Sequence, residues 1–255
     1  MRKRRKTAAD FIAPASAIAV AAAIWFFVSG SELVPAYMLP SPVEVASAFL
    51  KNLPVMLEQA AVTLQETLWG LLAGVALSFV FSVLMDAVPF LYKALYPLLV
   101  VSQTVPTVAI APLLVLWFGF GMAPKIVLVI LTTFFPITVA LLGGFREADE
   151  DAIRLMRTMG ASKPQIFRYV KLPGAVPGFF SGLRISASYS VIGAVVAEWL
   201  GGLEGLGVYM TRVRKAYAFD KMFAVIVFIS LLSLLLMALV AMLEYLAMPY
   251  KRARK

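Results

Sequence analysis

Residues Arg146 to Pro173 read READEDAIRLMRTMGASKPQIFRYVKLP, the one sizeable charged island in the middle of an apolar chain. The pattern predicts a helix, a break at Gly160-Ala161-Ser162, a second helix opening at Pro164 and a stop at Leu172-Pro173. Long apolar stretches flank it on both sides, so the unit is expected to project from a bilayer as a short helical hairpin.

The rest of the chain fits that setting. Its 255 residues are 62% hydrophobic and 15% charged, with a mean hydropathy of +0.89, which places it in a membrane. It holds no His and no Cys, which removes disulfides, thiolate and imidazole catalysis and the usual zinc sites, so neither a catalytic set nor a metal set is expected. The net charge of +9 would suggest nucleic acid in a water-soluble chain. In a membrane chain Lys and Arg collect at the cytoplasmic flanks, so no nucleic-acid partner is expected. No Gly-x-x-x-x-Gly-Lys-Ser/Thr phosphate loop occurs, so the chain does not handle ATP itself.

A spanning helix needs about 20 apolar residues. Six windows qualify: Phe11 to Ser29, Val62 to Met85, Leu95 to Phe118, Ile126 to Phe145, Gly174 to Leu200 and Met222 to Ala247. The first follows Arg2 to Lys6 and has the flank of a secretory signal peptide too, but no small-x-small cleavage site comes after it. With the N-terminus inside, sixteen of the 23 Lys and Arg lie in cytoplasmic segments, including Lys251, Arg252, Arg254 and Lys255. Six fall in outer loops: Lys51, Lys125, Arg212, Arg214, Lys215 and Lys221. The bias puts both termini and the hairpin in the cytoplasm.

Small residues step by four through span two (Gly70, Gly74, Ser78, Ser82) and span five (Gly174, Gly178, Gly182, Ser186, Ser190, Ala194), which lets backbones approach closely in lipid. Such a row winds round its helix, so no single partner is expected to meet all of it. Most of these positions read as packing, whereas the hydroxyls of Ser186, Ser188, Tyr189 and Ser190 read as the lining of a polar route. Span three carries Pro97, Pro106 and Pro112 around Ser102, Gln103, Thr104 and Thr107, so it should kink and free carbonyls that neighbours or a wet cavity must satisfy. Gln103, Thr104 and Pro106 are therefore candidate pathway residues; the other reading is that they bond across to the next span. Pro136 is expected to bend span four. Glu66, Arg184 and Glu198 are the ionisable groups inside apolar windows, open to substrate contact, snorkelling or ion pairing. Outside the spans, Val43 to Leu57 is an external stretch with a character of its own, and Gly201 to Asp220 reads as lying along the outer interface, with Leu206, Tyr209, Met210, Val213 and Tyr217 on one face.

Gly160, an aliphatic Val170 ten residues on and then Leu172-Pro173 together resemble the cytoplasmic loop of bacterial ABC importer permeases. In that family Glu-Ala-Ala begins six residues before the Gly; here Arg154, Leu155 and Met156 stand in its place. The resemblance covers Leu39 to Leu246, takes in the Leu-Pro-Ser-Pro opening at Leu39, and includes QTVPTVAIAPLLVLWFGFG from Gln103 and AEWLGGLEGLGVYM from Ala197. Both runs are similar to the branch importing nitrate, sulfonates, taurine and thiamine-precursor pyrimidines, and the wording RLMRTMGAS leans towards the pyrimidine or riboflavin-like importers.

The resemblance implies an all-α type I ABC importer transmembrane fold with six transmembrane helices, a single permease domain over residues 1–255 with its coupling loop at 146–173. It implies that Arg154, Leu155, Met156, Gly160, Ala161, Ser162, Pro164, Leu172 and Pro173 couple to a separate ATPase. It implies that Gln103, Thr104, Pro106, Ser186, Tyr189 and Ser190 line the substrate pathway. The partners implied are a second permease, identical or paired, two ATP-binding subunits, an extracytoplasmic substrate-binding protein and the lipid bilayer. No cofactor belongs to this chain, ATP being bound by the partner. The rivals are an ion-coupled secondary transporter, which would show paired repeats and midplane carboxylates, and a membrane-embedded enzyme, which has only serines without an evident base to work with.

Overall fold

The computed structural model describes residues 9–31, 35 and 38–248, with side chains from residue 16. The basic run before residue 9 and the four C-terminal cations, on which the assignment of both termini rests, lie outside the described residues. Among the described residues the regular structure is entirely helical: α1 Ala9–Gly30, α2 Pro42–Ala87, α3 Pro89–Ser102, α4 Thr107–Phe118, α5 Met122–Arg146, α6 Glu150–Thr158, α7 Lys163–Ile166, a π-helical turn Phe167–Lys171, α8 Leu172–Gly201, α9 Leu206–Lys215 and α10 Phe219–Ala247.

Five of the six expected windows lie within helices and the third is interrupted at residues 103–106, and the count of six spans is not matched in full. Among the described residues four helical runs are long and apolar enough to cross: α2, α5, Lys163–Gly201 and α10. A fifth arises if α3 and α4 count as one span bent by 101°. α1 covers the first window, with an apolar stretch described over Ser16–Gly30.

Two compact units form, one within Met1–Leu57 and Met210–Phe228, the other within Glu58–Tyr209 and Ile229–Lys255. In the first, the Trp25 ring stacks on Phe223 at 6.0 Å between centroids and its Nε1 donates to Pro40 O at 3.1 Å, while Val45, Ala48 and Ala224 form a buried seam. Ser41 starts α2 with a reciprocal cap: Ser41 N donates to Glu44 Oε2 at 2.7 Å, and Glu44 N donates to Ser41 Oγ at 3.3 Å, with Pro42 set where a missing amide hydrogen costs nothing. The expected external stretch Val43 to Leu57 is no separate helix. α2 runs 46 residues through Pro54 and straight into the second window.

In the second unit α2, α5, α8 and α10 share a core of Leu71, Ile137, Leu141, Phe145, Phe180, Leu183, Ala187, Val191, Leu236 and Val240. The small-residue row of α2 meets one partner after all. A Cβ at Gly70 would fall 2.5 Å from Val129 and one at Gly74 would strike Thr133; Ser78 Oγ donates to Phe134 O at 2.9 Å and Ser82 Oγ to Thr138 O at 3.3 Å. The reason is that α5 answers with its own four-step ridge, Val129, Thr133 and Ile137, all fully buried, and two such ridges stay in register. The α8 row packs on the same helix, where Gly178 and Gly182 sit against Ala140 and Pro136.

Two further expectations change. The chain does not stop at Leu172-Pro173: helix continues from Lys163 to Gly201 through the π turn, where Leu172 N donates to Phe167 O five residues back. That wider turn gives the Pro173 ring room an α-helical turn would deny it. The expected kink of span three is present, α3 and α4 meeting at 101° across the break that holds Pro106, while Pro97, Pro112 and Pro136 lie inside helices. Lys125, expected in an outer loop, is buried in the first turns of α5.

Candidate functional site

Two places concentrate chemistry: the polar hairpin and the break between α3 and α4. Both belong to the second unit.

The hairpin begins where Asp149 Oδ1 accepts from Asp151 N at 2.9 Å and Ala152 N at 3.3 Å, capping α6. It turns at Gly160, whose φ of +81° suits a residue without Cβ, and Ala161 N closes the turn on Met156 O at 2.9 Å. Ser162 then opens α7: its amide donates to Gln165 Oε1 at 2.7 Å, with Pro164 in the first turn. The inner side is anchored, since Ile166 is buried, Phe167 meets Phe145 edge-on at 5.1 Å and Lys171 Nζ donates to both oxygens of Asp86, at 2.7 and 2.9 Å.

The outer side is apolar and open. Leu155, Met159 and Tyr169 are 61%, 76% and 64% exposed, and Met156, Met159, Gly160, Ala161, Gln165 and Tyr169 enclose a depression of about 230 Å³. Of the expected coupling residues, Met156, Gly160 and Ala161 line this depression. Leu155 stands beside it, Ser162 and Pro164 build the second helix, and Leu172 and Pro173 form the joint to α8. Arg154 pairs with Glu150 at 3.1 Å in solvent.

At the other place, Val105 precedes Pro106 and is thereby biased away from helix, and Pro106 itself is extended at φ −66°, ψ 120°. The carbonyls left at the end of α3 are taken up locally: Ser102 Oγ donates to Leu99 O at 2.7 Å and Thr104 Oγ1 to Val101 O at 2.8 Å. The bend opens a cavity of about 370 Å³ lined by Ser102, Gln103, Val105, Thr107, Ile110, Leu131, Thr132, Pro136 and Tyr189. No charged side chain lines it; its recognition groups are an amide, hydroxyls and a phenol.

Gln103 and Tyr189 are thus brought together across α3 and α8, with exposed Thr104 and Pro106 at the same bend. Ser186 and Ser190 are placed differently. Both are fully buried, Ser186 Oγ donating to Thr133 O at 3.0 Å and Ser190 Oγ to Ala187 O at 2.7 Å. Thr132 joins the cavity wall without having stood out in the sequence, because its helical register against α3 depends on the tertiary bend.

The ionisable residues of the spans are partnered. Glu66 accepts from Lys125, Arg184 pairs with Glu244 at 3.0 Å, and Glu198 Oε1 lies 2.6 Å from Thr63 Oγ1. Glu244 and Lys125 were the partners sequence reasoning missed, since nothing local marks a residue 59 or 60 positions away as a neighbour.

The family described as binding-protein-dependent transport system inner membrane component matches residues 70–245. The chain is 39% identical over 223 residues to a probable ABC transporter permease protein of Haemophilus influenzae, covering 88% of this chain and 91% of that one. It is 37% identical to the formylaminopyrimidine transport permease protein ThiX of Halalkalibacterium halodurans, over 85% of this chain and 87% of the other. It is 32% identical to the riboflavin transport system permease protein RibX of Chloroflexus aurantiacus, over 82% and 79%. The crystal structure of an amino acid ABC transporter shares the fold, with a TM-score of 0.64 over 76% of this chain and 95% of that chain at 15% identity. With its membrane-spanning helices and its match over residues 70–245, the chain belongs to the binding-protein-dependent transport system inner membrane components, the membrane-embedded permeases of ABC transporters.

Proposed function

We propose that this permease forms the membrane path of an importer for a small, uncharged heterocycle of the pyrimidine or riboflavin-like kind. The observation that carries the substrate reading is the lining at the α3–α4 bend. A sulfonate, taurine or nitrate importer would be expected to offer its anion a cation there, and Gln103, Thr107, Thr132 and Tyr189 offer amide, hydroxyl and ring instead. Similarity to permeases named for formylaminopyrimidine and riboflavin supports the same choice. Tyr189 supplies a face for stacking and Gln103 both a donor and an acceptor for a ring edge. Thr104 and Pro106 shape the rim, while Ser186 and Ser190 back the wall through α5 and α8.

In this reading a second permease, two ATP-binding subunits and an extracytoplasmic binding protein complete the machine, with the termini and the hairpin on the cytoplasmic side. Arg154, Leu155, Met156, Gly160, Ala161, Ser162, Pro164, Leu172 and Pro173 form the handle for the ATPase. ATP hydrolysis belongs to that partner. Movement of the hairpin reaches the cavity directly, because the π turn and α8 make one unbroken helix from Lys163 to Tyr189 and beyond.

The test is uptake into proteoliposomes holding this chain with its ATPase and binding protein. Accumulation of a radiolabelled pyrimidine or flavin that needs ATP and survives a proton ionophore supports the proposal. Uptake of taurine or nitrate alone overturns the substrate, and uptake without ATP that collapses with the ionophore overturns the mechanism.

A further inference from the structure

No residue of α3 is buried, whereas α5 and α8 each bury a long stripe, and α3 is hinged at both ends. Val88 before it is extended at φ −122° and ψ 101°, and the break at Pro106 follows it. Its far end nevertheless places Ser102 and Gln103 in the wall of the cavity at the bend. Packing alone does not fix where this half-span stands.

The tie comes from the last turn of α5. Arg146 Nη1 donates to Tyr92 Oη at 2.8 Å and its Cζ lies 3.6 Å from the centre of the Tyr92 ring, so one planar guanidinium both stacks on the phenol and binds its hydroxyl. Tyr96, one turn on, stacks on Tyr92 at 4.9 Å between centroids with 22° between the planes, which extends the grip along α3. Among the described residues this is the side-chain hydrogen bond that joins α3 to another helix. Four acids follow Arg146 within five residues, Glu147, Asp149, Glu150 and Asp151. Its partner is still the ring, and Glu150 takes Arg154 instead.

The place of Arg146 in the chain gives the tie its use. Phe145, the residue before it, is buried and meets Phe167 of the hairpin's π turn edge-on at 5.1 Å, and Asp149, three residues after it, caps α6. Neighbouring residues of one helical turn thus hold the hairpin and α3 together. From Tyr92 the helix reaches Gln103 over about 16 Å of rise. We propose that Arg146 is a positioning residue for transport: through Tyr92 it carries movement of the hairpin to α3, and so to Ser102 and Gln103, as a second arm beside α8. This rests on the importer reading above and adds to it the residue by which the bend is set.

Spin labels at Leu98→Cys and Ile185→Cys, both exposed positions in a chain with no other thiol, report where α3 stands against α8 in lipid nanodiscs, with no transport required. The otherwise unaltered chain should give one narrow distance. Arg146→Lys, which keeps the charge but not the planar stack, should broaden it, as should Tyr92→Leu, while Tyr92→Phe, which keeps the ring, should broaden it least. In proteoliposomes with the ATPase and the binding protein, Tyr92→Leu should lower uptake about tenfold, the scale of one partly desolvated cation–π contact, while ATP hydrolysis stimulated by the binding protein stays. A role in packing alone would lower both together. An unchanged distance in Arg146→Lys, or uptake and hydrolysis falling in step in Tyr92→Leu, overturns the proposal. Failure of the wild-type chain to take up pyrimidine or flavin would sink the importer reading instead, and the label distances would still decide the role of Arg146.

Discussion

A side chain at position 182 has nowhere to go. A Cβ there would fall 2.7 Å from Ala140 Cβ and 2.8 Å from Pro136 O, so Gly182→Leu forces α5 and α8 apart. Overpacking of this kind costs about 1–3 kcal/mol, and a lowered melting temperature in detergent is the expected readout. Lys125→Met leaves Glu66 buried without its partner, a loss of roughly 3–5 kcal/mol. The double variant Lys125→Met with Glu66→Gln should recover most of it in the same melt. At this scale the sequence was legible where the chemistry is local: Gly160 announces its left-handed turn, and Glu66 and Glu198 stand out as charges in apolar runs. It was illegible where a partner comes from another helix. Lys125 looked like a loop cation because it falls between the apolar windows ending at Phe118 and starting at Ile126, and only the fold shows Glu66 beside it.

Among the elements, the break at Pro106 and the π turn before Pro173 show that a proline's effect is decided by its neighbours. Pro106 follows Gln103 and Thr104, whose backbone N–H groups bond to Val100 O and Val101 O, so the helix can end there. Pro173 follows a turn wide enough to carry it on. Pro106→Ala should let α3 and α4 join, shrink the cavity and slow uptake about tenfold, equivalent to ~1.4 kcal/mol on the barrier, with membrane insertion unchanged. Uptake at the wild-type rate would remove the bend from the pathway. At the hairpin, Gly160→Leu places a branched residue at positive φ, which costs about 1–2 kcal/mol, and fills the floor of the Met156–Met159 depression. ATP hydrolysis stimulated by the binding protein should be abolished while insertion and basal hydrolysis by the ATPase persist. Apolar length located the helices of α2, α5, α8 and α10, but that α2 absorbs the external stretch after Pro42 was not readable, since a continuous helix and two helices meeting there share the same local pattern.

For the whole molecule, one continuous helical run from Lys163 to Gly201 carries Gln165 and Tyr169 of the hairpin depression and Tyr189 of the cavity at the α3–α4 bend. On the proposed mechanism, a push on the hairpin would reach Tyr189 through that run. The family, and with it the dependence on partners, follows from a match spanning residues 70–245, in agreement with the Gly160 to Pro173 spacing. The natural absence of cysteine allows a direct test of whether the hairpin is what the motor grips. Met159→Cys, introduced as the sole thiol of the chain and carrying a short photo-crosslinker, is assembled with the ATP-binding subunit and the binding protein in native membranes. The account predicts a single crosslinked band to the ATP-binding subunit, strengthened by ATP, and labelling of the cysteine only from the cytoplasmic face. A thiol labelled from the opposite face, or a cysteine that meets no ATP-binding subunit in a transport-competent complex, would contradict it.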